Sequence, residues 1–199
     1  IMSALFHRSL LAEGCRVDEQ LDIHEDWDFW LQCAQHTQFQ YIEQVTSLWH
    51  GAVGNSGCGF GANEDNARYV AGQERVKEKW RPVREQVMAR IAEASRQAVA
   101  ARARGDLPAA IRLCQEVLRQ DPENVNAANL LGMISLQRGD LVSAHQLLTA
   151  AIANSPPHFG LFYNMGLVEE ARGNAAAARS WFEKGLALNP SHPGLQQKL

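Results

Sequence analysis

The side chains best placed to do chemistry are the carboxylates of Glu25 and Asp26, followed by Trp27, Trp30 and Leu31. Trp27, Trp30, Leu31 and Ala34 recur at i, i+3, i+4 and i+7, the spacing of one face of an amphipathic helix with its aromatics buried. Glu25 and Asp26 then open that helix, where the dipole favours their ionised form. Taken singly, an acidic pair at such a place is an ordinary N-terminal cap. His50 stands just before a glycine-rich stretch, Gly51 to Gly61, and a lone histidine beside a loop is ordinarily a surface residue. Cys15, Cys33, Cys58 and Cys114 lie far apart with no C-x-x-C pairing. Neither a zinc site nor a disulfide framework follows, and the thiols read as reduced and mostly buried.

The elements that carry these residues change character along the chain. A helix over residues 3–13 ends at Gly14, a short extended piece spans 15–17, and the tryptophan-bearing helix follows. Residues 39–43 and 45–49 read as short strands, and 63–90 as a helix bending near Pro82. From about Ile91 a period of 34 residues takes over: Gly105, Gly139 and Gly173 stand in register, each followed by Asp106, Asp140 or Asn174. Ala110, Ala144 and Ala178 come five residues after each glycine, and Pro122, Pro156 and Pro190 seventeen after it. Each marker has a physical task. The glycine ends a first helix in a left-handed conformation, and the Asp or Asn caps the next. The alanine lets two helices cross closely, and the proline stops the second helix. Between the markers, Leu130, Leu131 and Ile134 face Leu147, Leu148 and Ile152, while Phe162, Met165 and Leu167 face Trp181, Phe182 and Leu186, as core stripes.

Composition narrows the classes. The 199 residues carry a net charge of −3 with 19 scattered basic residues, so no footprint for nucleic acid is present. No apolar run approaches the roughly 20 residues needed to cross a bilayer, and no secretory signal opens the chain. The expected location is cytoplasmic or peripheral to a membrane. Ile1 opens without a cap or polar lead-in, as a fragment would.

The 34-residue pattern resembles the tetratricopeptide family, whose small residue eight positions into the first helix is here Ala98, Gly132 and Gly166. The resemblance implies a short α-solenoid of three helical hairpins, 91–124, 125–158 and 159–192, with Ser191 to Leu199 beginning a further capping helix. It implies a groove offering Arg102, Asn129, Met133, Tyr163, Leu167 and Glu170 to a peptide or protein. The first repeat departs from the family, since Ala94, Gln97 and Ala101 replace larger residues, and it is expected to pack more loosely or to lean on whatever precedes it.

The segment from Gly14 to His50 is similar to the C-terminal part of family 2 glycosyltransferase domains of the GT-A type. Gly14, Asp18, Glu19, Leu21, Glu25, Asp26, Trp27, Asp28, Trp30 and Leu31 match in order and spacing, while Gln32 departs from the usual arginine. The resemblance implies a small α/β remnant over residues 1–62, a linking helix over 63–90 and the repeats over 91–199, in a mainly α chain. By the same resemblance Asp26 is the catalytic base, aided by Glu25. Trp27 and Trp30 shape the acceptor site, and His50 helps hold a divalent cation, Mg or Mn, in the full-length enzyme. The activity implied is sugar transfer from a nucleotide-diphosphate sugar to an acceptor hydroxyl. No parallel βαβ half stands ahead of the helix and the chain is read as holding no Asp-x-Asp metal motif, so this chain alone is expected to bind no nucleotide-sugar and no cation. The alternative is a non-enzymatic tetratricopeptide module for protein–protein interaction.

Overall fold

In the computed structural model, Gly105, Gly139 and Gly173 take φ of +80°, +79° and +80°, the left-handed backbone at which each first helix was expected to end. Residues 6–40 and 64–199 are described. Their helices are α1 (Ser9–Ala12), α2 (Glu25–Ala34), α3 (Asn66–Ala103), α4 (Leu107–Gln120), α5 (Val125–Gln137), α6 (Leu141–Ala153), α7 (Phe159–Ala171), α8 (Ala175–Leu188) and α9 (Pro193–Gln196). No β-strand occurs among the described residues, and Phe39 and Gln40 lack regular structure. The remainder of the two expected strands, His50, the glycine-rich stretch and Cys58 lie outside the described residues.

Contacts divide the chain into two compact units, residues 1–85 and 86–199. The division falls inside α3, not at residue 62 or 90, and the helix continues through Pro82. Most of the expected linking helix belongs to the first unit, because Gly72 and Val76 are buried there. A Cβ on Gly72 would lie 2.3 Å from the Ile23 side chain, so the close approach of α3 to the segment before α2 depends on the missing side chain.

In the first unit the buried stripe of α2 differs from the one the apolar spacing implied. Asp28, Phe29 and Cys33 are buried, whereas Trp27, Trp30 and Leu31 are half-buried and Ala34 is exposed. The face is rotated because Asp28, the residue hydropathy would place in water, finds partners inside. Leu10, Cys15, Phe29 and Cys33 form one buried cluster. Burial, with the Cys15 thiol beside it, pushes the Cys33 thiol above its ordinary value.

In the second unit each hairpin obeys a rule of complementary size. The small residue of the first helix opposes a residue of the second: Gly132 faces Leu148, whose Cγ would lie 3.2 Å from an added Cβ, and Gly166 faces Phe182, whose ring would lie 2.3 Å from one. One repeat earlier Ala98 shares a buried cluster with Cys114, the smallest of the three opposing side chains. Burial pushes the Cys114 thiol up to about 11. Ala110, Ala144 and Ala178 are buried, Ala144 with 0% exposure, as a close helix crossing requires.

The caps are partly as expected. Asp106 and Asp140 accept from Ala109 N and Ser143 N. Asn174 does not cap α8, because its side-chain amide donates to Glu169 Oε2. The first helices are capped at the same 34-residue spacing: Asn124, His158 and His192 accept from Ala127 N, Gly160 N and Leu195 N. The first repeat is not loosely packed throughout. Gln97 is exposed, but Ala101 is 1% exposed in a cluster with Ala110 and Ile134, where a larger residue would displace them.

Candidate functional site

Two places bring the sequence-nominated residues together, one in each unit. In the first, α2 begins at Glu25 after His24, which takes φ of +64°. A left-handed histidine costs about 1–3 kcal/mol. It is held by its ring packing 4.6 Å from that of Tyr69 and by Nε2 donating to the Tyr69 carbonyl at 3.1 Å. Glu25 and Asp26 are exposed, and Asp26 Oδ1 accepts from Trp27 N at 2.7 Å. Trp27 is half-buried with its ring 5.9 Å from His24, while Trp30 sits in an aromatic cluster with Phe6, Phe29 and Phe39.

Asp28, which matches the glycosyltransferase pattern without a role of its own there, is the centre of the first unit's polar network. It is 0% exposed, accepting from Trp80 Nε1 at 2.8 Å, Gln32 Nε2 at 2.8 Å and Lys79 Nζ at 3.0 Å. Lys79 also donates to Asp18 at 2.6 Å, and Gln32 bonds both ways with the backbone of Arg16. The Lys79 hydrogen bond, helped by the Gln20 amide, holds Asp18 below the usual carboxylate range. For Lys79, burial works against the charge, but hydrogen bonds to Asp18 and Asp28 outweigh it and raise its value. A further pair of cations, Arg68 and Arg75, reaches Asp22. The departure at Gln32 therefore has a use: its neutral amide bridges Asp28 to the Arg16 backbone.

Contrary to the expectation that the chain holds no Asp-x-Asp motif, Asp26 and Asp28 stand at that spacing, yet residues two apart on a helix do not face each other. One points to water and the other to Lys79 and Trp80, so the two do not converge on a cation. Among the described residues no group of three or more His, Cys, Asp or Glu is placed to hold a metal. The described residues therefore offer no donor set for Mg or Mn.

In the second unit Asn129 and Asn164, on the first helices of consecutive repeats, are half-buried and joined by an Asn164 Nδ2 to Asn129 Oδ1 hydrogen bond of 2.8 Å. Met133 is half-buried and Arg102 exposed. Tyr163, Leu167 and Glu170 also meet neighbours within the unit, Tyr163 and Leu167 being half-buried and Glu170 exposed. Tyr163 and Leu167 pack on the cluster of Ala178, Phe182 and the fully buried Leu195, and Glu170 pairs with Lys198. In register, Leu195 is 34 residues after Leu161, so α9 occupies the start of a further first helix and packs against α8.

The tetratricopeptide repeat family matches residues 95–159 and 143–193. The helices of the second unit are tetratricopeptide repeats. No curated protein matches the chain. Among solved structures, an O-GlcNAc transferase of Thermobaculum terrenum is 31% identical with a TM-score of 0.52, over 53% of this chain and 20% of that one. This chain thus spans about a fifth of that transferase. The second tetratricopeptide domain of human RPAP3 in complex with an HSP70 peptide is 18% identical, with a TM-score of 0.53 over 57% of this chain and 94% of that one. The tetratricopeptide domain of Arabidopsis OM64 is 16% identical, with a TM-score of 0.54 over 56% and 93%. At these identities the last two show the fold alone. Among the described residues no helix is long and apolar enough to cross a membrane.

Proposed function

We propose that the tetratricopeptide repeats of this chain bind an extended peptide of a partner protein across the first helices α5 and α7. The observation that carries this reading is the Asn129–Asn164 pair. One amide N–H and one carbonyl satisfy each other. The Asn129 amide nitrogen and the Asn164 carbonyl oxygen remain available to a peptide backbone, which presents the same two groups. Met133 supplies apolar contact beside the pair and Arg102 a charge. The fold shared with the peptide-bound RPAP3 domain supports the reading. The test places a photo-crosslinking side chain at Met133 in the full chain. Capture of one partner peptide, lost on Asn129→Leu with Asn164→Leu and absent from a crosslinker at the exposed Val142, supports it. Capture that survives the double substitution removes the amide pair from recognition.

A second reading, favoured by the ordered match around Glu25-Asp26-Trp27-Asp28, concerns the full-length protein. There the first unit completes a family 2 glycosyltransferase domain, and the repeats recruit its acceptor or a partner. A carboxylate at Asp26 would accept the proton of the acceptor hydroxyl as it attacks the anomeric carbon. Asp28 would hold the helix that presents it. What supports this is that Asp26 is exposed at the head of a helix whose first turn is pinned by the buried carboxylate of Asp28. The expected outcome in the full-length protein is that Asp26→Asn abolishes transfer with the thermal transition unchanged. A variant keeping most of its rate would remove Asp26 from the mechanism. Donor hydrolysis and acceptor use, measured after deleting the repeats, separate recruitment from mere support: acceptor use falls more if the repeats recruit.

A further inference from the structure

The 34-residue register allows one position of the molecule to be compared with itself. In the third repeat Glu169 is a buried carboxylate, 3% exposed, set between α6 and the α7–α8 turn. Its Oε1 takes Arg172 at 2.7 Å and His145 at 3.1 Å, and its Oε2 takes the Asn174 amide at 2.6 Å. Trp181 stands at the matching place on α8 and is half-buried.

Thirty-four residues earlier the same place is empty of side chain. Ser135 stands for Glu169, Arg138 for Arg172, Asp140 for Asn174, Ile111 for His145 and Leu147 for Trp181. Each exchange that shortens a side chain opens space, and the result is a cleft of about 360 Å³ between α4, α5 and α6, with Leu131 at its apolar base. Arg138 lines it and is exposed, and among the described residues it has neither an ion pair nor a side-chain hydrogen bond. The carboxylate of Asp140 also lines the cleft; it bonds the hydroxyl and amide of Ser143, which, with a smaller contribution from the Arg138 charge, hold it below the usual carboxylate range. The guanidinium is thus in the position that holds a carboxylate one repeat on; here it feels the Asp140 charge without forming an ion pair, and the counterpart of Glu169 is a serine.

We propose that this cleft binds a glutamate side chain from an acidic segment of a partner protein, with Arg138 taking the carboxylate as Arg172 takes that of Glu169. Ile111, Leu131 and Leu147 receive the methylenes of that glutamate and an apolar neighbour. A singly charged carboxylate fits better than a phosphate, because Asp140 repels the second charge more strongly. The cleft lies between α4, α5 and α6, so it is separate from the Asn129–Asn164 pair, and failure of either proposal leaves the other standing.

The test is a titration of the full 199-residue chain with the blocked tripeptide acetyl-Leu-Glu-Leu-amide, followed by 1H–15N NMR of backbone amides and the Arg138 Nε–H. Saturable shifts at Arg138, Ser135 and Leu147 are expected, with an affinity on the order of 1 mM. The acetyl-Leu-Gln-Leu-amide peptide should bind at least about tenfold more weakly, since the charge-assisted bond is lost. Arg138→Gln, an exposed change that leaves the core alone, should remove the difference between the two peptides. Asp140→Asn should tighten the glutamate peptide severalfold. Ser135→Glu should restore the third-repeat arrangement from within, abolishing peptide binding. Equal binding of both peptides, binding unchanged by Arg138→Gln, or shifts confined to Asn129 and Asn164 would each overturn the proposal.

Discussion

The two units are held by opposite means. The first is organised around a buried charge: Asp28 gathers Lys79, Trp80 and Gln32 from two helices, and Asp22 gathers Arg68 and Arg75. The second is organised by apolar seams repeated at one spacing, in which Gly132 meets Leu148 and Gly166 meets Phe182. Apolar burial is non-directional and tolerates a repeated pattern, whereas a buried carboxylate demands particular donors at particular places. The first unit therefore has partners that sequence distance hides, while the second announces its partners through its period.

The comparison breaks hardest at Asp28. Asp28→Ala leaves the Trp80 N–H without its acceptor and Lys79 with Asp18 alone. The expected cost is about 2–4 kcal/mol, near the low end for a buried pair because the Lys79 side chain is 40% exposed and can turn to water. Trp80 fluorescence should report loss of the first unit at lower denaturant, while the helical signal of the repeats keeps its own midpoint. A single shifted transition would mean that the units do not unfold independently.

Within the repeats, Gly166→Ala should cost about 1–3 kcal/mol, because the new methyl meets a buried aromatic ring. Gly132→Ala sharpens the point. Its methyl needs only a small movement of Leu148, and alanine gains up to about 1 kcal/mol of helix propensity, so stability should stay within about 1 kcal/mol of the parent. Chemical denaturation of both variants checks the order, and equal losses would refute the complementary-size rule.

The smallest effect concerns pH. The folded value of Cys114, about 11, lies above its ordinary 9.0, so the protonated thiol contributes fully below about pH 9 and that contribution is lost as the pH rises towards 11. Cys114→Ala should flatten the alkaline fall of the melting temperature over that window. An unchanged slope would assign the fall to other groups.

The repeats were legible because helix ends, crossings and stops each demand a residue type: Gly139, Ala144 and Pro156 occur where only a left-handed turn, a close crossing or a broken helix calls for them. The rotation of α2 was not legible. Trp27, Trp30, Leu31 and Ala34 make a convincing stripe, yet the buried side holds Asp28, whose stability comes from Lys79 and Trp80, some fifty residues away. Hydropathy measures a side chain against water and cannot register a donor supplied by another helix. The same limit applies to Tyr163 and Leu167, groove candidates by resemblance that also pack on the cluster around Leu195.

By itself the sequence determined the helical hairpins, their lengths and their turns, since these depend on local backbone preferences and on a period written into the chain. Only the tertiary structure decided which carboxylate is buried, how the last residues pack on the third repeat, and that Arg138 faces a cleft where Arg172 faces Glu169. These depend on side chains brought together across helices, where a single difference in size or charge decides whether a space is filled from within.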